Sequence, residues 1–543
     1  MKTSAHTSRR PLGGARLSMV ALSTLLGLLF AAVGCEDASD RWEEPLEVSE
    51  PTSVDDDLLY VHHTFEEVMR LSAEGGDEPD LAIDRVETGP RPGAHALSAD
   101  ESELYVVNRH EYEEDASLSV VDIEGESMEA TTVELDSAYD RLSVDPEGDF
   151  LLLSFTGDAG DYIARNLNEL GVLDLRDGLE EGDSAEFETL SSRARDVVFA
   201  PRFEMDGEEQ RLAAALSPSE ITIIDLLAER GSEDRLREVP LTFSEADRVQ
   251  NPEEAFFVLP EEEGDPLRLY VLTDTGEDIT ELTLKPGSER KFEITLDQLA
   301  AGNQPADMEL LESEEAGSRL AVVDEEAPEF TLIDVDSGEN ATYELPMNAP
   351  AERVEPFEVT IDDETETRLL AWSTQTDLVA VIRPERIDID EQSPTLGRSV
   401  EAIRLEDRPS HIQLDPDDAE ERAVARHGGF QGGVTVIDLR RNNAIPIQGA
   451  TVNDVHFSQN RAFGTFRDEA YLGVIDLETG HPTPYRLPQT GRRVHLDPDD
   501  VVVTVQHDDA GGTFTVLDAA EPTSDNARVF EDVFLYDLFE KEL

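Results

Sequence analysis

The chain has 543 residues, 39% of them hydrophobic, and its 123 acidic against 43 basic side chains leave a formal net charge of −80. That length exceeds one conventional core, so it calls for several domains or for one ring of repeats. The charge excludes a sequence-independent grip on nucleic acid and adhesion to anionic lipid head groups, because both would be repelled.

The N-terminal segment has the layout of a secretory signal. Lys2, Arg9, Arg10 and Arg16 form a positive start with no acid before Cys35, and Leu17 to Val33 is an apolar run. Crossing a bilayer takes about 20 apolar residues, and Ser18, Ser23 and Gly27 interrupt this stretch. The single cysteine of the chain stands at its end, in Ala32-Val33-Gly34-Cys35. These four residues resemble the lipobox of bacterial lipoproteins, with Ala32 where that pattern prefers Leu. The resemblance implies cleavage before Cys35 and a diacylglycerol on its thiol, so residues 1–34 are read as a signal peptide. With no second cysteine, an intramolecular disulfide is excluded. Residues 35–57, acidic and interrupted by Pro45 and Pro51, read as a flexible tether.

From Leu58 onward the chain repeats. "LSVVDIEGE" at Leu118, "LGVLDLRDG" at Leu170, "ITIIDLLAE" at Ile221, "FTLIDVDSG" at Phe330, "VTVIDLRRN" at Val434, "LGVIDLETG" at Leu472 and "FTVLDAAEP" at Phe514 are each an apolar run closed by Asp and a turn. Degenerate copies at Ile279, Leu378 and Glu66 bring the count to ten units. Upstream of these lies a second pattern of strand, acidic turn and strand, as in "LSVDPEGDFLLLSF" at Leu142 and "VHLDPDDVVVTVQH" at Val494. A period of about 40 to 55 residues holding four short strands is the pattern of a propeller blade. The copies resemble the YVTN-type repeats of bacterial propellers. The fold expected is therefore all-β, a single β-propeller of four-stranded blades over residues 58–543, with seven to ten blades. The first unit lacks an inner strand, which the last segment, "VFLYDLFEKEL" from Val533, is expected to supply.

The recurring Asp after Val-Ile reads as a turn cap, its oxygens accepting nearby backbone N–H groups. The "DPDD" clusters at Asp415 and Asp497 read the same way, because they lack the spaced ligands of a calcium loop. Polar residues that break the apolar inner strands are candidates for the channel mouth. Aligning the units gives His95, Arg141, Asp196, Glu254, Asp307, Glu358, His411, Asp454 and Arg493. At the ends of second strands, expected on the same face, stand His62, His63, His110, His427 and His507. Together they would line one mixed-charge funnel, although the channel of any propeller is wet and polar.

No nucleophile elbow, phosphate loop, H-E-x-x-H helix or haem-attachment motif occurs, so no catalytic residue and no cofactor is assigned. The expected function is a lipid-anchored envelope scaffold that recognises a protein or small ligand at the funnel face, with the membrane reached through the N-terminal lipid and nucleic acid excluded. The alternative is a propeller enzyme of lactonase, hydrolase or dehydrogenase type, in which funnel acids and histidines hold a divalent metal. If Cys35 carries the anchor, Cys35→Ser moves the protein from the membrane to the soluble fraction on cell fractionation; retention in the membrane pellet refutes it.

Overall fold

The computed structural model describes residues 46–542 apart from short internal stretches, the longest being 156–165, 242–249 and 390–398. Cys35 with its flanking Ala32, Val33 and Gly34, and His110, lie outside the described residues. Ten antiparallel sheets of four or five strands follow one another along the chain, each with its strands hydrogen-bonded in sequence order, and a two-stranded hairpin, Phe203–Met205 with Glu208–Gln210, is inserted in the fourth. They span residues 52–87, 92–134, 141–189, 196–240, 252–300, 305–344, 353–404, 409–447, 452–486 and 491–542, and are called blades 1 to 10. The ten units counted in the sequence are thus ten blades, and the degenerate copies are third strands, Asp278–Pro286, Leu378–Ile382 and Glu67–Glu74.

Packing explains the continuous apolar runs. In the second strand of blade 2, Leu104 and Val106 pack against blade 1, whereas Tyr105 and Val107 pack against blade 3. In blade 3, Leu151 and Leu153 face blade 2 while Phe150 and Leu152 face blade 4. Successive residues of one strand point to opposite faces, so a blade covered on both sides needs apolar residues at every position. Six of the repeated aspartates then close the third strands as expected. The carboxylates of Asp122, Asp174, Asp225, Asp334, Asp438 and Asp518 each accept a backbone N–H two or three residues onward. Asp497 likewise accepts from the backbone N–H of Val501 and Val502.

Arginine ties neighbouring blades together. Arg268, Arg319, Arg368 and Arg461 lie in second strands, and each of these donates to backbone carbonyls just beyond the third strand of the following blade: Val335, Pro384 and Ile387, Leu439, and Ala520 respectively. Arg211 reaches the other way, its buried guanidinium held by Asp145, Glu147 and Asp149 of the blade 3 turn. One guanidinium carries five donors in a planar fork, which lysine cannot imitate.

Two expectations about the ends are corrected. Blade 1 has its own inner strand, Thr52–Val54, paired with Asp57–His62, and Val48 bridges to His62, so the ordered ring begins within the expected tether. A three-residue strand held by backbone hydrogen bonds carries no apolar pattern to announce it. The final segment does join the termini, but not as that strand. Phe539–Glu542 adds a fifth, outer strand to blade 10, and the 3-10 turn Val533–Leu535 fills the junction between blades 10 and 1. There the rings of Tyr60, Phe514 and Phe534 meet edge to face, with centroids 5.3 to 6.1 Å apart. His62 Nε2 donates to the Phe534 carbonyl and Arg85 to that of Val533. Gly512, at φ +74°, makes the approach feasible, since a Cβ there would lie 2.4 Å from the Phe534 ring.

Phe534→Ala should destabilise the protein by about 3–5 kcal/mol, the usual range for emptying a buried aromatic site. Thermal melts compared with Leu259→Ala, a truncation at an exposed position, test this; equal midpoints for the two variants would refute a closing role for the triad.

Candidate functional site

The residues at the channel mouth are set by a repeated irregularity in the inner strands. In blades 2, 5, 6, 8, 9 and 10 the pairing register shifts just before His95, Glu254, Asp307, His411, Asp454 and Arg493. A bulge re-aims the side chain that follows it, and the proline that opens four of these strands needs no ladder donor at a first position. Arg141 and Asp196 open the inner strands of blades 3 and 4. Blade 7 departs from the expectation. Its inner strand, Arg353–Ile361, has no bulge, and Glu358 sits opposite Thr367, exposed and well inside the strand. Arg353 holds the equivalent place, because Val354 after it is bonded from blade 6 as Val494 after Arg493 is bonded from blade 9. Pro356 misleads the alignment, since in this blade the proline is internal.

Most of these charges are locked across blade boundaries. Asp307 accepts from the Val354 backbone N–H at 2.8 Å and from Arg353 at 3.2 Å. Asp454 accepts from the Val494 N–H at 3.1 Å and from Arg426 at 3.0 Å. Arg141 pairs with Asp196, and Arg493 with Glu50. His95 is half-buried, its pKa lowered by burial, and its Nδ1 donates to the Gly93 carbonyl. His411 is exposed, edge-on to Trp372.

Three of the second-strand histidines, His62, His427 and His507, are buried in the core and do not line the mouth. His427 is buried in blade 8, its Nε2 accepting from the Thr435 hydroxyl at 2.7 Å while Nδ1 donates to the Arg408 carbonyl. His507 is bound to Thr515 in the same way, at 2.7 Å, and burial lowers its pKa. His62 is buried at the blade 1–10 junction, and burial pushes its pKa down to about 4. Each is a buried group that pins second to third strand or closes the ring. A strand end in the sequence does not reveal which way its last side chain turns.

What the alignment missed is the second layer. Glu309 and Glu355 lie two residues beyond Asp307 and Arg353, hence on the same side of their strands, and with Glu254 and Asp307 they form a carboxyl cluster across blades 5 to 7. Burial, followed by the charge of Asp307, pushes Glu254 up to about 7. Burial, followed by the charges of Glu254, Asp307 and Glu355, pushes Glu309 up to about 8. Burial also raises Asp307 and Glu355, and Glu355 accepts from the Trp372 indole N–H at 3.1 Å. Period-two alternation from a known inward residue was the available signal. Among the described residues no group of three or more His, Cys, Asp or Glu is placed to hold a metal ion; His95 and His411 stand on blades 2 and 8.

Blades 8 to 10 differ. Around Asp454 and Arg493 opens a cavity of about 760 Å³ that also takes in blade 1, with Arg426, Arg467, Arg492, His456 and His495 in its wall. The mouth therefore has an acidic sector, blades 4 to 7, followed by one rich in arginine and histidine.

No protein-family model matches the chain, and no curated protein matches it. Among solved structures it is similar to the dihydro-heme d1 dehydrogenase NirN in complex with DHE, at 14% identity over 79% of this chain and 84% of that one, TM-score 0.39. It is also similar to AztD of Citrobacter koseri, at 11% identity over 69% and 92%, TM-score 0.31, and to a eukaryotic initiation factor, at 11% over 87% and 95%, TM-score 0.39. Likeness at this level says nothing of ligand or activity.

The cluster sets a pH dependence. Glu309 holds its proton in the fold up to about 8, against an ordinary value of 4.5. Between these values the native state binds more protons than the unfolded one, so stability falls as pH rises. The melting temperature should drop from pH 5 to pH 9, and Glu309→Gln should flatten the drop by raising the alkaline values; superimposable profiles would show that the cluster does not control it.

Proposed function

We propose that this chain is a lipid-anchored protein of the bacterial cell envelope whose propeller is a recognition module, offering the polar mouth of its channel to another envelope protein or a small ligand. The observation that carries the reading is the cross-blade locking of the mouth, in which Asp307 and Asp454 each hold a neighbour's N–H and an arginine. Side chains fixed before a partner arrives lose little freedom on binding, so their contacts convert into affinity instead of ordering. The succession of an acidic and a basic sector supplies direction as well, because complementary potentials orient an incoming partner and discourage wrong ones. A diacylglycerol on Cys35 brings the two acyl chains that stable anchoring requires, and the acidic residues behind it keep the ring clear of anionic lipid.

The test is site-specific photo-crosslinking in intact cells, with a photoreactive side chain at Glu355 or His411 in the mouth and at Phe187 on an outer strand. Discrete adducts from the mouth positions and none from Phe187 are expected; adducts from Phe187 alone, or none at all, would overturn the reading.

A further inference from the structure

In the cavity shared by blades 8, 9, 10 and 1, arginines balance the carboxylates of this acidic chain. Across the protein, 123 acids face 43 bases; in the cavity wall Arg426, Arg467, Arg492 and Arg493 stand against Glu50, Asp454, Asp468 and Asp508. Arg426 is committed to Asp454. Arg467 and Arg492 are exposed and make no ion pair among the described residues.

Deeper in, polar groups are left waiting. Gln506 is only 8% exposed; its carbonyl oxygen accepts from the Tyr60 hydroxyl, and its amide nitrogen has no hydrogen-bond partner among the described residues. His495 is opposite Thr504 on the same face, its Nδ1 3.4 Å from the Ser53 hydroxyl and its buried Nε2 unpartnered. A buried polar atom without a partner costs free energy, which an arriving ligand would relieve.

The chain already places one carboxylate here. Val48 bridges to His62, and the Ser49 backbone and hydroxyl are both bonded to Val61, which brings the next residue, Glu50, to the rim. Its carboxylate sits on Arg493, yet the Glu50 side chain is 78% exposed, so it is held by that contact and little else.

We infer that this cavity is a binding site for a small, multiply charged oxyanion, a di- or tricarboxylate or a phosphate ester, and that Glu50 occupies it as a weak internal competitor. The volume, about 760 Å³, lies within the range of small-molecule sites. The guanidinium forks of Arg492, Arg493 and Arg467 suit paired oxygens, with Gln506 and His495 completing the contacts. The inference rests on the recognition reading and names its ligand class.

Titration calorimetry on the full-length protein in neutral detergent at low ionic strength decides it, with citrate, inorganic phosphate and glucose as probes. Citrate or phosphate should bind and glucose should not, and the better of the two anions tells carboxylate from phosphate. Arg467→Glu with Arg492→Glu, both at exposed positions, should weaken binding by about tenfold or more, and Glu50→Gln should tighten it several-fold. The inference is overturned if neither anion binds, if the arginine variant binds as the parent does while its melt is unchanged, or if Glu50→Gln weakens binding. Mouth crosslinks that persist without anion binding would refute this ligand class and leave the recognition reading standing.

Discussion

Each blade of this protein is apolar on both faces, and that constraint governs the rest of the structure. A sheet of four short strands with two greasy sides cannot be stable in water, so every blade depends on two neighbours, and the first and last depend on each other. The ring has to close. It does so where Tyr60, Phe514 and Phe534 interlock, with a segment beyond the last repeat filling the gap that nine successive blade contacts leave at the tenth. The fifth strand of blade 10 then covers that blade's outer edge.

Within the closed ring, polar groups work at two radii. Toward the outside, arginines of the second strands donate to carbonyls of the following blade, satisfying backbone acceptors that the end of a third strand would otherwise leave open. Toward the axis, carboxylates accept the N–H of the next inner strand. Both devices cross blade boundaries, so they fix the rotation of one blade against the next in a way that non-directional apolar contact cannot. The need for forked donors is one structural reason why arginine so outnumbers lysine in this chain.

The same locks give the mouth its character. Charges tethered to a neighbour cannot spread apart to relieve repulsion, and on blades 5 to 7 burial first, and then the crowding of carboxyls, raises the pKa values of Glu254 and Glu309 toward neutrality. On blades 8 to 10 the inner positions are His411, Asp454 and Arg493, further arginines stand beside them, and a cavity opens there. One repeat thus yields two chemical sectors, because substitutions at the inner position leave the packing of the blade untouched.

How much of this was legible depended on whether the signal was local. Strand, turn and period are short-range matters, so the Val-Ile-Asp segments with their capping aspartates, and the propeller they imply, could be read directly, down to the ten units. Inner positions preceded by a bulge were legible too, as Glu254, Asp307 and Asp454 illustrate, but in blade 7 the proline lies inside the strand and the alignment picks Glu358 in place of Arg353. Side-chain direction at a strand end was not legible, so His427 and His507 turned out to be core pins. Nor were contacts between residues hundreds of positions apart: that Glu50 meets Arg493, or that Phe534 completes the core of blade 1, follows from the angle at which ten blades come round to meet. The sequence determined the module and its repetition, since both rest on hydrogen bonds and hydrophobic periodicity within about fifty residues. Only the tertiary structure decided the closure and the neighbours at the mouth, since these depend on the summed geometry of all ten blades.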